Sequence, residues 1–159
     1  MDTLKATVII ASNRAAAGVY ADETGPLIVA ALAAEGWAVS DPVVVPDGVP
    51  VAAAITAAVA AGARLVLTSG GTGLTPTDQT PEVTRSLLER EVPGIAEAIR
   101  AYGVAKGVPT AALSRGLAGT IGQALVINLP GSRGGVKDGL AVVVPLLRHA
   151  VEQIVGSDH

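Results

Sequence analysis

Apolar residues fall along this chain in short β-branched runs separated by longer stretches of helical composition. Residues 6–11 form the first such run and predict a buried strand. After a loop holding Gly18, Tyr20 and Asp22, Gly25-Pro26 opens a helix that runs to about residue 35, where Gly36 stops it. Residues 37–45 read as a second strand interrupted at Pro42, residues 50–61 as an Ala-rich helix ended by Gly62, and residues 64–68 as a third strand. Helices follow over 80–90 and from 93 to about 105, then a short helical piece over 109–114. Residues 117–121 and 124–129 flank Gly122-Gln123 as a hairpin. The last helix covers about 135–155, with Pro145 expected to bend or divide it. Strands alternating with helices in this way predict one α/β domain, a mostly parallel sheet covered by helices on both faces, plus a small β-hairpin.

Composition narrows the picture. At 159 residues the chain suits one domain, able to bury roughly 70% of its unfolded surface. It has no Phe, one Trp and two Tyr, yet 50% of its residues are apolar and its mean hydropathy is +0.52. So much small aliphatic surface predicts burial between subunits, and hence an oligomer. The net charge of −3, with Lys and Arg scattered, argues against nucleic acid or an anionic membrane as partner. The absence of Cys excludes a thiol nucleophile, a thiolate metal site and disulfides, which is compatible with the cytoplasm. Residues 1–5 lack the charged region and cleavage site of a secretory signal, and no apolar run reaches the roughly 20 residues of a membrane span.

Candidate chemistry concentrates where the third strand ends. Residues 68–82 read Thr-Ser-Gly-Gly-Thr-Gly-Leu-Thr-Pro-Thr-Asp-Gln-Thr-Pro-Glu. Three glycines within four positions let backbone N–H groups approach phosphate oxygens, and a helix start follows at Thr80-Pro81-Glu82. No Lys-Ser/Thr pair follows the loop, and the spacing is not G-x-G-x-x-G, so neither the P-loop nor the dinucleotide fingerprint applies. Ligands of open α/β sheets bind beyond the carboxyl ends of the strands. Ser12-Asn13-Arg14, Asp47-Gly48, residues 69–73 and Asn128-Leu129-Pro130-Gly131 all fall at such ends.

The fifteen-residue string resembles the signature of the molybdenum-cofactor biosynthesis family, the MogA/MoaB-type molybdopterin adenylyltransferases. The resemblance extends to residues 8–20, to Val45-Pro46-Asp47, Glu91-Val92-Pro93-Gly94 and Leu113-Ser114-Arg115, and to Asn128-Leu129-Pro130-Gly131-Ser132, in the expected order. It covers about residues 5–155 as a single molybdopterin-binding domain. It implies a three-layer fold, a homotrimer or a hexamer of two trimers, and transfer of AMP from ATP to the terminal phosphate of molybdopterin with release of pyrophosphate. Mg²⁺ is the cofactor implied, with ATP as co-substrate.

Carried over residue by residue, the resemblance makes Asp47 and Asp78 the catalytic and metal-holding pair. Mg²⁺ is commonly held by one or two carboxylates plus substrate phosphates. By itself, Asp47 before Gly48 would read as a turn former. Substrate contacts are expected from Ser12, Asn13, Ser69, Gly70, Gly71, Thr72, Gly73, Ser114, Asn128, Pro130, Gly131 and Ser132. Many relatives carry Ser-Asp-Arg where this chain has Ser12-Asn13-Arg14, so Asn13 is expected to touch substrate rather than metal. Arg115 ranks below Ser114, which matches a position on the pterin side. His149 and His159 are not expected to be ligands, and Trp37 reads as core.

Two other readings stand beside this one. Some MoaB-type relatives have no clear catalytic duty, so a non-catalytic molybdopterin carrier is the alternative; retention of both aspartates favours the enzyme. Molybdate insertion uses the same fold within longer chains, which the length of 159 residues disfavours.

Overall fold

The structure, a computed structural model, describes residues 4–157. His159 and the first three residues of the N-terminal stretch considered above lie outside that range. Strand β1 (Lys5–Ala11) leads into a short helix α1 (Asn13–Ala16) and then α2 (Thr24–Ala34). The strand expected over 37–45 is split, as Pro42 suggested, into β2 (Ala38–Val39) and β3 (Val43–Val45), both parallel to β1. Helix α3 (Val49–Ala60) and strand β4 (Leu65–Ser69) follow.

The helix expected over 80–90 is shorter. Helix α4 (Thr80–Arg85) ends early, and strand β5 (Arg90–Glu91) takes up the remainder. The free edge of the next sheet strand claims those residues: Glu89 N–H donates to Thr120 O, and Val92 N–H to Ala118 O. Edge pairing therefore overrides the local helical preference. Helix α5 (Pro93–Ala105), a 3₁₀ turn (Pro109–Leu113), strands β6 (Ala118–Ile121) and β7 (Ala124–Leu129), and helix α6 (Arg133–Ile154) complete the chain.

The sheet order is β2-β1-β4-β7-β6-β5, with β3 also paired to β1. All pairings are parallel except β6 with its two neighbours. The β6–β7 hairpin is thus part of the main sheet, because β7 lies directly beside β4.

Side-chain alternation along each central strand feeds two cores. Val8, Ile10, Leu65, Leu67, Leu125, Ile127 and Leu129 face α2, α5 and α6, while Ile9, Val66 and Val126 face α3 and α4. These are the three layers. Trp37 joins the larger core, as expected, with the Arg148 guanidinium 5.7 Å from its ring centre.

Helix α6 runs through Pro145 as one element. Proline removes the bond to the carbonyl four residues earlier, that of Ala141. Both residues are exposed, so water can take that carbonyl and the helix need not break. Leu140, Val143, Leu147 and Val151 of this helix are all buried in the core of the same chain. Only Leu146, at 42% exposed, presents a large apolar group outward, so α6 does not carry a broad apolar face for a neighbouring subunit.

Candidate active site

Register decides where the rim lies. Ala11 pairs with Val45, Ile10 with Ser69, and Ser69 with Leu129, so β3, β1, β4 and β7 all end at one level. The loops leaving these ends meet at glycines. Gly70 has φ +97°, and a Cβ there would overlap the backbone carbonyl of Ala11. A Cβ on Gly131 would lie 3.1 Å from Gly70 Cα. Side chains at either point would push the strand ends apart.

Both aspartates border the glycine loop. A Cβ on Gly71, where φ is +68°, would overlap Asp47 Oδ1 and Thr80 Oγ1. One on Gly73 would lie 2.8 Å from Asp78 Oδ2. The loop thus brings bare backbone against the two carboxylates. Asp78 Oδ2 accepts from Thr75 N–H at 3.0 Å, and Asp78 N–H donates to Thr75 O, which closes a compact turn. Asp47 is held from the first strand: its N–H donates to Asn13 Oδ1 at 2.9 Å. Asn13 therefore positions Asp47, a link between residues far apart in sequence.

Asp47 Oδ1 is buried with no hydrogen-bond partner among the described residues, and Thr80 Oγ1 is in the same condition. Burial, and secondly the charge of Asp78, push the Asp47 carboxyl above its ordinary value of 3.8. The sign of the stability effect follows. A group whose pKa rises on folding favours the fold while protonated, and that contribution fades as pH climbs through the folded value. Ionised Asp47 is therefore a burden at neutral pH. Asp47→Asn is expected to melt above the wild type at pH 7, with the difference disappearing below pH 3.8; equal melting points at neutral pH would contradict this.

Arg115 serves the loop rather than a ligand. Its Nε donates to Gly73 O at 2.8 Å and its Nη2 to Asp78 O at 3.0 Å, while Nη1 meets Glu82 Oε2 at 2.6 Å. Its own N–H donates to Thr72 O. The hydrogen bond from Arg115 also holds the Glu82 carboxyl below its ordinary range. A planar guanidinium can satisfy three such acceptors at once and an ammonium cannot. Arg115→Lys is expected to speed hydrogen exchange at Thr75 and Asp78 by about tenfold, while global stability falls by only about 1 kcal/mol. Unchanged protection at those two amides would remove the clamp.

Ser114, expected as a substrate contact, donates from Oγ to Thr72 Oγ1 at 3.4 Å and so sits against the glycine loop. Ser12 caps α1 by accepting from Ala15 N–H, and its hydroxyl meets Tyr20 Oη at 2.9 Å. Ser69 is buried and donates to Pro130 O at 2.8 Å. Thr72 is buried as well. Ser132 caps α6 by accepting from Gly135 N–H at 3.0 Å.

Asn128, expected as a substrate contact, is buried. It sits one residue before the end of β7, on the α4 side of the sheet, and is 2% exposed. Its amide donates to Thr68 Oγ1 and Thr84 Oγ1, and its Oδ1 accepts from Leu117 N–H. The side chain ties β7 to β4, α4 and the start of β6, and is turned away from the rim. His149 is exposed on α6.

Two cavities flank the segment that follows β7. The larger, about 480 Å³, reaches Ser12, Tyr20, Thr24, Ser69, Gly70 and Gly131. The smaller, about 230 Å³, lies between α5, the 3₁₀ turn and the start of α6, and reaches Ser114, Pro130 and Ser132. Neither is lined by Asp47 or Asp78, which border the glycine loop beyond Gly70. Tyr20, on the larger cavity with Arg133, was not expected as a site residue. The Gly-Val-Tyr step of the first loop was the only signal for Tyr20.

Known proteins resemble this chain over nearly its whole length. Residues 7–149 match the family model described as a probable molybdopterin binding domain. A molybdenum cofactor biosynthesis bifunctional protein of Synechococcus elongatus is 43% identical over 155 residues, covering 97% of this chain and 48% of that protein. The chain spans about half the length of the curated relatives it matches at this level. A molybdopterin adenylyltransferase of Pyrococcus furiosus is 37% identical over 158 residues, covering 94% of this chain and 93% of that one. The solved structure of the molybdopterin biosynthesis Mog protein from Mycobacterium ulcerans superposes with a TM-score of 0.91 at 51% identity, covering 96% of this chain and 99% of that chain.

Proposed function

The chain belongs to the family of molybdopterin-binding domains of molybdenum cofactor biosynthesis, and from that premise we propose that it is a molybdopterin adenylyltransferase. An oxygen of the terminal phosphate of molybdopterin attacks the α-phosphorus of ATP. A new P–O bond forms, the bond between the α-phosphorus and the bridging oxygen breaks, and that oxygen leaves with its electron pair as part of pyrophosphate. The observation that carries this reading is the close approach of two carboxylates to a half-buried glycine backbone on one strand-end rim.

A phosphate nucleophile is already anionic, so the site must align it and screen charge rather than remove a proton. In this reading backbone N–H groups of residues 71–73 hold phosphate oxygens, while that of Gly70 donates to Leu129 O and the Arg115 clamp holds the loop carbonyls. The larger cavity, with Tyr20 at its wall, has room for the nucleotide, and Ser12 and Ser69 offer polar contacts. Asn13 orients Asp47 from beneath.

Mg²⁺ fits the residues present. Asp47 Oδ1 lacks a partner, and two carboxylates lie close enough for the charge of one to raise the pKa of the other. Asp47 and Asp78 would hold the ion, which when bound neutralises phosphate charge. Added Mg²⁺ is accordingly expected to raise the melting temperature of the wild type at pH 7 and leave Asp47→Asn unmoved.

Incubating the purified protein with molybdopterin, ATP and Mg²⁺ is expected to yield adenylylated product and pyrophosphate. No product, while the Pyrococcus furiosus relative succeeds in parallel, would overturn the catalytic reading; molybdopterin binding without turnover would make the protein a carrier. A cytoplasmic location is part of this reading, since it supplies ATP. Scattered charge argues against nucleic acid, and among the described residues no helix is long and apolar enough to cross a membrane. The assembly in this reading is a homotrimer, or two stacked trimers. Exposed Val43, Val49, Val104 and Val108 supply apolar surface that α6 does not. Light scattering should report about three or six subunits.

A further inference from the structure

The smaller cavity contains a group that the reaction above leaves unused. Asp138, on the second turn of α6, lines it with its side chain only 15% exposed. Oδ1 meets Lys106 Nζ at 3.1 Å, and no hydrogen bond from the described residues reaches Oδ2. Lys106 itself does not line the cavity. The remaining wall is largely apolar: Ile99 and Gly103 from α5, Val108 and Ala111 beside the 3₁₀ turn, and Pro130 after β7. A Cβ on Gly103 would lie 2.6 Å from Ala111 Cβ, so glycine lets the turn pack close against α5. A largely apolar slot with the Asp138 carboxylate on its wall, and the Arg100 guanidinium committed to the carbonyls of Ser114 and Gly116, suits a flat heterocycle whose edge carries N–H donors.

The slot is also placed correctly for such a ligand. Ser114, whose hydroxyl bonds Thr72 of the glycine loop, also lines it. A ligand with its ring against Asp138 could therefore extend a phosphate past Ser114 towards residues 70–73. The wall formed by Pro130 and Ser132 separates the slot from the larger cavity, which Gly131 lines from the other side. Two ligands could then meet over the glycine loop without competing for space.

We propose that Asp138 reads the pyrimidine edge of the pterin ring, accepting hydrogen bonds from the ring N–H and the neighbouring exocyclic amino group, and thereby sets selectivity for 2-amino-4-oxo pteridines. This rests on the pterin substrate of the reading above, though not on turnover. An ionised carboxylate only accepts, and its two oxygens match two adjacent donors. A pteridine with oxygen in place of the amino group would turn an acceptor towards that carboxylate, which is repulsive. Lys106 meets Oδ1 from outside the slot and leaves Oδ2 open to the ring.

The competing account is a plain ion pair between α5 and α6, worth little at the surface. Fluorescence titration of the full chain with pterin and with lumazine, its 2-oxo analogue, separates the two. The wild type is expected to bind pterin at least about tenfold more tightly than lumazine. Asp138→Asn should weaken pterin binding by about tenfold and erase the preference, while Lys106→Met keeps it. In the adenylylation assay Asp138→Asn should raise KM for molybdopterin with kcat and the KM for ATP unchanged. A wild type that binds the two pteridines equally, or not at all, would overturn the proposal, as would an Asp138→Asn protein with the preference intact. Adenylyl transfer could still proceed in those cases. Conversely, an Asp138-dependent preference without turnover would sustain this inference and defeat the catalytic reading.

Discussion

Asp78→Asn is expected to lower the rate of adenylyl transfer by at least about 10²-fold while leaving the fold intact, the scale at which one preorganised electrostatic group acts. The fold survives because the role of Asp78 in its own turn needs only an acceptor. Its Oδ2 takes the Thr75 N–H, and an asparagine carbonyl oxygen can do the same. The turn is further held by Asp78 N–H on Thr75 O and by Arg115 on the Asp78 carbonyl, neither of which involves the side chain. What the substitution removes is charge. Among the described residues, Asp47 and Asp78 are the carboxylates that the loop glycines approach, and the remaining Asp47 is half-buried and reluctant to ionise. The loss should appear in kcat and in the Mg²⁺ concentration needed for half-maximal rate, with the melting temperature nearly unchanged. Near-normal turnover would take Asp78 out of the mechanism.

The second large effect falls on stability. Asn128→Ala is expected to cost about 2–4 kcal/mol, because it leaves the Leu117 N–H without its acceptor and two threonine hydroxyls without a donor, all in a buried position. It also opens a small void beneath α4. The cost would be read as a lower urea midpoint with an unchanged slope. Thr84→Val, which removes one partner but keeps the shape, should cost less. Molybdopterin binding lost at an undiminished melting temperature would instead return Asn128 to the binding surface.

These two residues show where the linear pattern succeeds. Asp78 follows the glycine loop by a few positions, so strand, loop and carboxylate are local and can be read directly. Asn128 lies in an equally suggestive string, yet its orientation depends on strand parity. Leu125, Ile127 and Leu129 face the α6 side, so Asn128 must face α4. The alternation was present in the sequence, but which face α4 would cover was not.

The sequence by itself determined most of the strands and most of the helices, because apolar runs, glycine stops and proline starts act over a few residues. It also located three strand ends and the glycine loop. Tertiary structure decided the rest. Only the pairing of β4 with both β1 and β7 brings the strand ends level, and only edge pairing with β6 turns residues 90–91 from helix to strand. The Asn13–Asp47 link spans 34 positions and the Arg115–Gly73 bond 42, distances over which no local periodicity carries information. Nothing in the linear pattern sets Asp138 apart; the packing of α5 against α6 puts its carboxylate in a cavity. Such contacts form when whole elements dock, so their partners are chosen by packing and register rather than by neighbouring residues.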